Sequence, residues 1–166
     1  MNRFTYHLPS KIETIFMLGE LTEEQIDHVL QSQVVGRLGC SNNTDIYVVP
    51  VTFAYDGTYI YVLSKEGTKV NMMRRNPNVC FEVDVIENMA NWRSVILWGE
   101  YQELEDDREK RKAMNILANK VMPLITSETI KPLRQPMAPH IVEKEKKPIA
   151  YRILITKKTG RFEKVY

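Results

Sequence analysis

The chain has 166 residues, of which 43% are hydrophobic and 27% charged, as expected for a single folded domain. Its 23 lysines and arginines nearly balance its 21 aspartates and glutamates, which argues against the broad basic field that non-specific nucleic-acid binding requires. No apolar run reaches the roughly 18 to 20 residues of a membrane helix, and the first residues lack the apolar core of a signal peptide. We therefore expect a cytoplasmic protein with neither a nucleic-acid nor a membrane partner.

The cysteines and histidines predict neither a disulfide nor a metal site. Cys40 and Cys80 lie in separate apolar segments without a CxxC partner, which favours two reduced thiols. His7, His28 and His140 are scattered along the chain, and their spacing matches no metal-ligand pattern. We expect no metal centre.

The first predicted helix lies in the stretch LTEEQIDHVLQSQ. Thr22 and Gln25 have the spacing of a capping box, in which each side chain accepts a hydrogen bond from the other residue's backbone. Ile26, Val29 and Leu30 recur at helical spacing. These features indicate a short amphipathic helix.

The following stretch, VVGRLGCSNNTDIYVVPVTFAYDGTYIYVLS, predicts three β-strands, with turns at SNNTD and at the Asp-Gly pair 56–57. A short helix is expected from Thr68 to Arg75, because Pro77 cannot continue it. Two more strands are expected in NPNVCFEVDVI and RSVILWGEYQEL, where apolar and polar residues alternate.

The last third predicts a helix, a long irregular segment and a strand. Asp106 and Glu109 match a second capping box. Four apolar residues of this helix share one face: Met114, Leu117, Ala118 and Val121. Five prolines and the charged run EKEKKP make residues 123–148 a long loop or an interface arm. AYRILITKKTGRFEKV predicts the final strand.

This order of elements predicts a mainly β fold with flanking helices. Five or six short antiparallel strands suit a small barrel better than a doubly wound parallel sheet. We interpret residues 1–166 as one domain. A homodimer is one way to cover the strand edges that such a barrel exposes.

The stretch YVLSKEGTKV places four residues suited to an anion where a strand ends and a helix begins. Ser64, Gly67 and Thr68 lead into the first helical turn, whose free backbone N–H groups attract anions. Lys69 adds a positive charge that suits a phosphate monoester. By spacing alone, this short pattern favours a plain Ser/Gly turn with an exposed lysine.

The wider succession of blocks carries a resemblance. GRLGC, DIYVVPVTFAYDGTYIYVLSKEGTKV, WRSVILWGEYQEL and TGRFEKV occur in this order between Leu21 and Glu163. This succession resembles the flavin-binding split-barrel family of pyridoxamine 5′-phosphate oxidase-like proteins, and within it the nitroimidazole-resistance branch. The resemblance implies an antiparallel split barrel that binds FMN.

The resemblance also implies the cofactor contacts. The flavin ring would lie against the backbone of Pro50, Val51 and Thr52, and Ser64 and Lys69 would hold the phosphate. A block like WRSV commonly comes from the other subunit of a homodimer.

That last correspondence would bring the partner's copies of Trp92, Arg93 and Ser94 into the pocket. Each dimer would then contain two sites, and each site would be built from both chains.

The resemblance further implies an oxidoreductase that passes electrons from NAD(P)H to a small organic acceptor such as a nitro-aromatic. The chain departs from the branch at Leu63, where a histidine is usual, and Lys65 and Glu66 replace small or apolar residues at the pocket rim. Two alternatives stay open. In the first, the barrel is a non-catalytic flavin- or haem-binding module for sensing or storage. In the second, it is an empty barrel used for association.

Overall fold

The computed structural model describes residues 2–5, 15–124 and 148–165. The described residues form eight strands, three α-helices and one turn of 3-10 helix at Met122–Leu124. The strands are β1 (Asn2–Thr5), β2 (Ile15–Glu20), β3 (Val35–Ser41), β4 (Ile46–Tyr55), β5 (Tyr59–Ser64), β6 (Asn78–Asn88), β7 (Asn91–Glu103) and β8 (Ile149–Val165). The helices are α1 (Glu23–Ser32), α2 (Thr68–Arg75) and α3 (Asp107–Val121).

Six strands form a closed antiparallel barrel in the order β8, β5, β4, β3, β6 and β7, because β7 pairs with both β6 and β8. β8 has 17 residues and takes part in three pairings. Its first part, residues 149–154, pairs with β5, and its last part, residues 161–165, pairs with β2. Its pairing with β7 runs from residue 151 to residue 163. The expected mainly β, antiparallel split barrel is confirmed.

β1 and β2 are additional to the five or six strands that the sequence pattern predicts. The segment IFMLGE of β2 has no regular alternation of apolar and polar residues. It becomes a strand because β8 continues past its pairing with β5 and offers a backbone edge from Arg161 to Val165. Residues 125–147, most of the expected loop or interface arm, lie outside the described residues.

The barrel wall has a gap where β4 and β5 diverge. These strands pair only at Phe53–Tyr55, so the first seven residues of β4 pair with β3 alone. The Phe53 N–H donates to the Val34 carbonyl on the β3 side at 2.9 Å. Since backbone groups alternate in direction along an antiparallel strand, Thr52 and Pro50 direct theirs to the open edge. Proline, which lacks an N–H, costs no ladder hydrogen bond there.

α1 covers one opening of the barrel and contains the predicted capping box. The Thr22 N–H donates to Gln25 Oε1 at 2.9 Å, and the Gln25 N–H donates to Thr22 Oγ1 at 3.3 Å. The three apolar residues of the predicted face, Ile26, Val29 and Leu30, are buried in the barrel core. The predicted helix is therefore confirmed.

Side-chain hydrogen bonds attach α1 to the barrel wall. Asp27 accepts hydrogen bonds from the Tyr55 hydroxyl and from Lys158 Nζ, both at 2.7 Å. Burial raises the pKa of Asp27, but the hydrogen bonds from Lys158 and Tyr55 outweigh it and lower the pKa overall. Burial and the Asp27 carboxylate raise the pKa of Tyr55 to about 12. The network thus holds a charged carboxylate against a neutral phenol at neutral pH.

α3 packs on the outside of the barrel against β4, β5 and β8. The Asp106 side chain accepts hydrogen bonds from the first turn, which is one half of the predicted capping box. The other half would need the Glu109 side chain to accept from the Asp106 N–H, but Glu109 pairs with Arg152 at 3.1 Å instead. The helix buries Ala113 and Leu117, whereas Met114, expected on the same face as Leu117, is 44% exposed. The buried stripe is narrower and rotated because α3 packs against a small group of barrel residues that includes Ala54 and Ala150.

Cys40 and Cys80 are both free thiols, as predicted. They lie on neighbouring strands, where Gly39 pairs with Cys80 and Cys40 pairs with Val79. Residues that face each other across strands share a face, so the two cysteines point to opposite faces of the sheet. Among the described helices, none has the length and apolar character needed to cross a membrane.

Gly99 lies where the pairing between β7 and β8 shifts. Trp98 pairs with Lys157 and Gly99 with Ile155, so Thr156 is skipped as a β-bulge. Its hydroxyl donates to the Trp98 carbonyl at 3.1 Å. A Cβ atom at Gly99 would overlap with the Leu154 carbonyl oxygen, so the strands approach this closely only with glycine there.

We expect Gly99→Ala to lower the free energy of unfolding by about 1 to 3 kcal/mol, the usual cost of overpacking. Gly39→Ala is the matched control, because its new Cβ would meet Cys80 at 3.5 Å, an ordinary contact. Its effect should stay within about 0.5 kcal/mol. Urea unfolding of both variants checks the prediction, and equal midpoints for the two would contradict it.

Candidate functional site

The turn between β5 and α2 presents open backbone donors. α2 begins at Thr68 and ends at Arg75, as predicted, and its N-cap Gly67 provides no side-chain cap. The first helical hydrogen bond runs from the Asn71 N–H to the Gly67 carbonyl at 3.1 Å. The N–H groups of Thr68 and Lys69 precede this ladder and have no acceptor within the helix. This helix start therefore suits an anion.

Lys69 brings an uncompensated charge to the same turn. Its side chain is partly buried and forms no ion pair with another described residue. The positive charge acts on the Cys40 thiol, whose pKa is raised by burial and partly lowered by Lys69. Lys69 can therefore serve an external anion without breaking an ion pair within the described chain.

Ser64 holds the turn in shape. It is 9% exposed, and its hydroxyl donates to the backbone carbonyl of Lys65 at 2.8 Å. Its oxygen keeps lone pairs, but its hydrogen is used within the turn. The predicted contact between Ser64 and a phosphate stays a prediction and requires the hydroxyl to rotate.

Arg74 clamps the turn to the barrel. Its guanidinium binds both carboxylate oxygens of Glu103 at 2.7 and 2.8 Å and reaches Glu66 at 2.7 Å. The Tyr101 hydroxyl also donates to Glu103 at 2.7 Å. The hydrogen bond from Arg74 lowers the pKa of Glu103 against the opposing effect of burial. Arg74 is thus occupied by two carboxylates.

The residues expected at the flavin ring lie along the open edge of β4. Pro50 and Thr52 are exposed, and Val51 is buried in the barrel core. The Thr52 N–H and the two outward carbonyls point to the side where β5 has diverged. The edge thus offers one donor and two acceptors to a flat, polar ring edge.

The three residues expected from the WRSV block lie at the start of β7. Trp92 Nε1 donates to Glu163 at 3.0 Å, and the Ser94 hydroxyl donates to Glu82 at 3.2 Å. Arg93 lies 3.5 Å from a carboxylate oxygen of Glu87. All three therefore contact carboxylates of their own chain.

Within one chain, this block does not meet the turn before α2. The clamp fixes the turn near Tyr101 and Glu103, at the other end of β7. Seven residues separate Ser94 from Tyr101, which corresponds to roughly 23 Å along a strand. The two halves of the predicted pocket would meet only if a second chain supplied one of them.

Sequence patterns did not single out Tyr151, which occupies the barrel core beside the turn. It is fully buried, and among the described residues its hydroxyl has no hydrogen-bond partner. Burial, with the Cys40 thiol as a lesser cause, raises its pKa. Tyr151 is therefore a neutral phenol at physiological pH. The alternation in β8 marks it only as an inward residue.

Metal-ligating side chains do not cluster in the ranges that the structure describes. No group of three or more His, Cys, Asp or Glu residues there could hold a metal ion. His28 is exposed on α1, and His7 and His140 lie outside the described residues.

Comparison with known proteins identifies the family. The model of the family described as pyridoxamine 5′-phosphate oxidase matches residues 22–162. The chain belongs to this family. A curated relative, an uncharacterized protein of Rhizobium meliloti, is 33% identical over 84 residues, which are 51% of this chain and 56% of that protein. The match thus spans only about half of the relative's length.

Two solved structures of the same fold are similar over most of their length. A FAD-binding protein of Mesorhizobium loti is 27% identical, with a TM-score of 0.68 over 89% of this chain and 98% of that one. A candidate 5-nitroimidazole antibiotic resistance protein of Bacteroides thetaiotaomicron is 17% identical, with a TM-score of 0.65 over 100% and 96%. At 17% identity, the second likeness concerns the fold alone. The resemblance to pyridoxamine 5′-phosphate oxidase-like proteins is therefore confirmed.

The clamp generates a prediction about the turn. Arg74→Gln should release Glu66, so amide hydrogen exchange at residues 65–69 should become severalfold faster while the barrel strands keep their protection. Arg75→Gln is the matched control, since Arg75 forms no ion pair with a described residue. Exchange measured by mass spectrometry or NMR checks this. Unchanged exchange in Arg74→Gln would show that the clamp does not hold the turn.

Proposed function

We propose that the chain binds a flavin by its 5′-phosphate at the start of α2 and works as a flavin-dependent oxidoreductase. The observation that carries the proposal is Lys69, which has no ion pair with a described residue and follows the uncapped helix start at Gly67 and Thr68. A phosphate there would accept hydrogen bonds from backbone N–H groups and pair with the lysine. FMN is the smallest flavin that meets this requirement.

The ring would lie along the open edge of β4. Pro50 and Thr52 carry the outward backbone groups that would orient it, whereas Val51 between them directs its own backbone groups towards β3. The missing N–H of Pro50 leaves that position as an acceptor only. A bound flavin supplies hydride and electron transfer through its own ring, so the protein needs only to bind, orient and shield it. This agrees with a site that contains no acid, base or nucleophile pair among the described residues.

A homodimer would complete the site and cover an apolar face. The outer face of β4, β3, β6 and β7 exposes several large apolar side chains: Ile46 (83%), Val48 (60%), Ile86, Ile96 and Trp98. The ion pairs of Arg37 with Glu82 and Asp84 lie among these side chains on the same face, and an exposed apolar patch bordered by charged residues marks an interaction site more often than a free surface. A second copy on this face would also bring the WRSV block of one chain towards the α2 turn of the other.

The reaction we propose takes electrons from NAD(P)H and passes them to a small organic acceptor such as a nitro-aromatic. Leu63 is 37% exposed at the point where β5 leaves β4. Its aliphatic side chain supplies no proton, so the reaction must obtain protons from solvent or from the flavin.

We further propose that the protein works in the cytoplasm.

Leu63 also favours a second candidate function, a flavin- or haem-binding module for sensing or storage. The two functions separate in one experiment. The purified protein is loaded with flavin, mixed with NAD(P)H without oxygen, and then given a nitro-aromatic acceptor. Bleaching and recovery of the flavin absorbance at catalytic rates support the oxidoreductase. A flavin that stays oxidised supports the module, and a Soret band in the purified protein supports haem.

Lys69→Ala tests the phosphate site. The variant loses a charge-assisted contact worth about 1.5 to 3 kcal/mol, so its FMN affinity should fall roughly 10- to 150-fold. Riboflavin lacks the phosphate and serves as the control ligand. Its weaker binding should be the same in both proteins, because the β4 edge is untouched. Fluorescence titration at one salt concentration measures both affinities, and equal FMN affinities in the two proteins would rule out this role for Lys69.

Val48→Glu tests the dimer face. Wild type should have a mass near twice 19.4 kDa by light scattering, whereas a carboxylate in the centre of the apolar face should give a monomer with weakened flavin binding. Asn115→Glu adds the same charge on the exposed side of α3 and should leave the dimer intact.

Trp92→Ala should weaken both dimer and flavin binding. A wild-type monomer with flavin fully bound would contradict the two-chain site.

A further inference from the structure

The opening of the barrel that α1 covers contains a cavity of about 290 Å³, which we call the α1 cavity. It lies between the residues that lead into α1, the first residues of β7 and the last residues of β8. A smaller hollow of about 180 Å³ continues it along α1, and Leu21, Gln25 and Arg93 line both. Small ligands often bind in the mouth of a β-barrel, in pockets from about 300 Å³ upwards. The α1 cavity therefore suits a small molecule.

Arg93 is a charged residue on the core face of β7. Because side chains alternate along a strand, Arg93 lies on the same face as Val95 and Leu97, which are buried in the core. Its cross-strand neighbours are Val85 on β6 and Phe162 on β8, and both pack against the core. A charge beside apolar neighbours costs free energy unless it has a partner. The position of Arg93 thus calls for an anion.

Glu87 meets this need only loosely. Its carboxylate lies 3.5 Å from the Arg93 guanidinium, whereas Arg74 binds its carboxylates at 2.7 Å. The Glu87 side chain is 66% exposed, and an exposed ion pair of this kind contributes little. A guanidinium has five N–H donors and can bind one carboxylate through two parallel hydrogen bonds. A carboxylate ligand can therefore displace Glu87 from Arg93 at small cost.

The net charge of the α1 cavity does not select an anion by itself. Glu87 and Glu163 line it together with Arg93 and Lys164, so the charges balance. Glu163 lies opposite Trp92 in the strand pairing and accepts a hydrogen bond from its indole N–H at 3.0 Å. Residues opposite each other across strands share a face, so Glu163 lies on the other face from Arg93. Selection depends on the open donors of Arg93.

The rest of the cavity suits a flat apolar body. The Phe162 ring lies directly over Gly19, where a Cβ atom would meet it at 2.8 Å, so the ring is held in place. Leu21 adds a second apolar surface. The Gln25 side chain uses its oxygen in the capping box, while its amide nitrogen forms no hydrogen bond with another described residue. This nitrogen can donate to the same ligand oxygen atoms as Arg93.

From this arrangement we propose that the α1 cavity binds a small aromatic carboxylate. The carboxylate accepts hydrogen bonds from Arg93 and Gln25, and the ring packs against Phe162. Of the three residues that the family resemblance assigns to the partner's flavin, Trp92 and Ser94 lie on the outer face of β7, so Arg93 serves this cavity instead. The site is built from one chain and its ligand requires no flavin. The inference therefore goes beyond the proposed function and does not depend on it.

Titration of the full chain with benzoate tests the inference, with benzyl alcohol as the neutral control ligand. Wild type should bind benzoate at least about 10-fold more tightly than benzyl alcohol, the usual effect of one charge-assisted contact. Arg93→Gln should remove this preference and leave benzyl alcohol affinity within about twofold of wild type. Arg161→Gln is the matched control, because Arg161 is exposed on β8, pairs with Glu20 at 3.4 Å and does not line the cavity. It should change neither affinity.

Gln25→Glu provides an independent check that preserves the fold. Glutamate at this position keeps the acceptor that the capping box needs, but it places a second carboxylate beside that of the ligand. Benzoate binding should fall below detection, and benzyl alcohol binding should persist. Equal affinities of wild type for the two ligands, or an equal loss of benzoate affinity in Arg93→Gln and Arg161→Gln, would overturn the inference. Since no flavin takes part in the titration, either result leaves the proposed flavin site to its own test.

Discussion

β8 is the constraint on which the rest of the structure depends, because one 17-residue strand must satisfy three neighbours. Its backbone pairs with β5, β7 and β2 in overlapping stretches, and the barrel closes only because β7 stays on one edge throughout. The bulge at Thr156 lets the strand bend around the barrel. The cost of this bend is the close approach at Gly99, where no side chain fits.

Closure at β8 leaves the opening of the barrel elsewhere, between β4 and β5. The two strands keep three paired residues and then diverge, which exposes a backbone edge and makes room for the turn that starts α2. The turn would be a weak element by itself, since Gly67 offers no side-chain cap. Arg74 compensates by joining Glu66 in the turn to Glu103 on β7. The open donors of α2 are thus held in place by a charge network that leaves Lys69 and Arg75 free of ion pairs with described residues.

The length of β7 separates the two groups of residues that the family resemblance assigns to one pocket. Ser94 and Tyr101 mark its two ends, and a single chain has no way to fold one end onto the other while both are held in the barrel. This separation and the exposed apolar side chains of β4, β3, β6 and β7 both favour association with a second chain. In the arrangement we propose, association buries the apolar face and completes the pocket in one step.

The sequence determined the elements whose signals are local. The capping box at Thr22, the limits of α2 between Gly67 and Pro77, and the alternation in β6 and β7 are set by neighbouring residues, so their physics is contained in short stretches. The succession of blocks also sufficed to indicate the family and its barrel. Only the tertiary structure decided which residues are free to bind.

Arg74 and Arg75 are identical in type and adjacent in sequence, but Arg74 pairs with Glu66 and with Glu103, which is 29 residues away, whereas Arg75 has no ion pair with a described residue. β2 likewise became a strand because distant β8 offered it an edge. Long-range pairing of this kind has no local signature. For that reason, the barrel and the turn at the start of α2 were predictable from the sequence, whereas the clamp and the separation of the WRSV block from the turn were not.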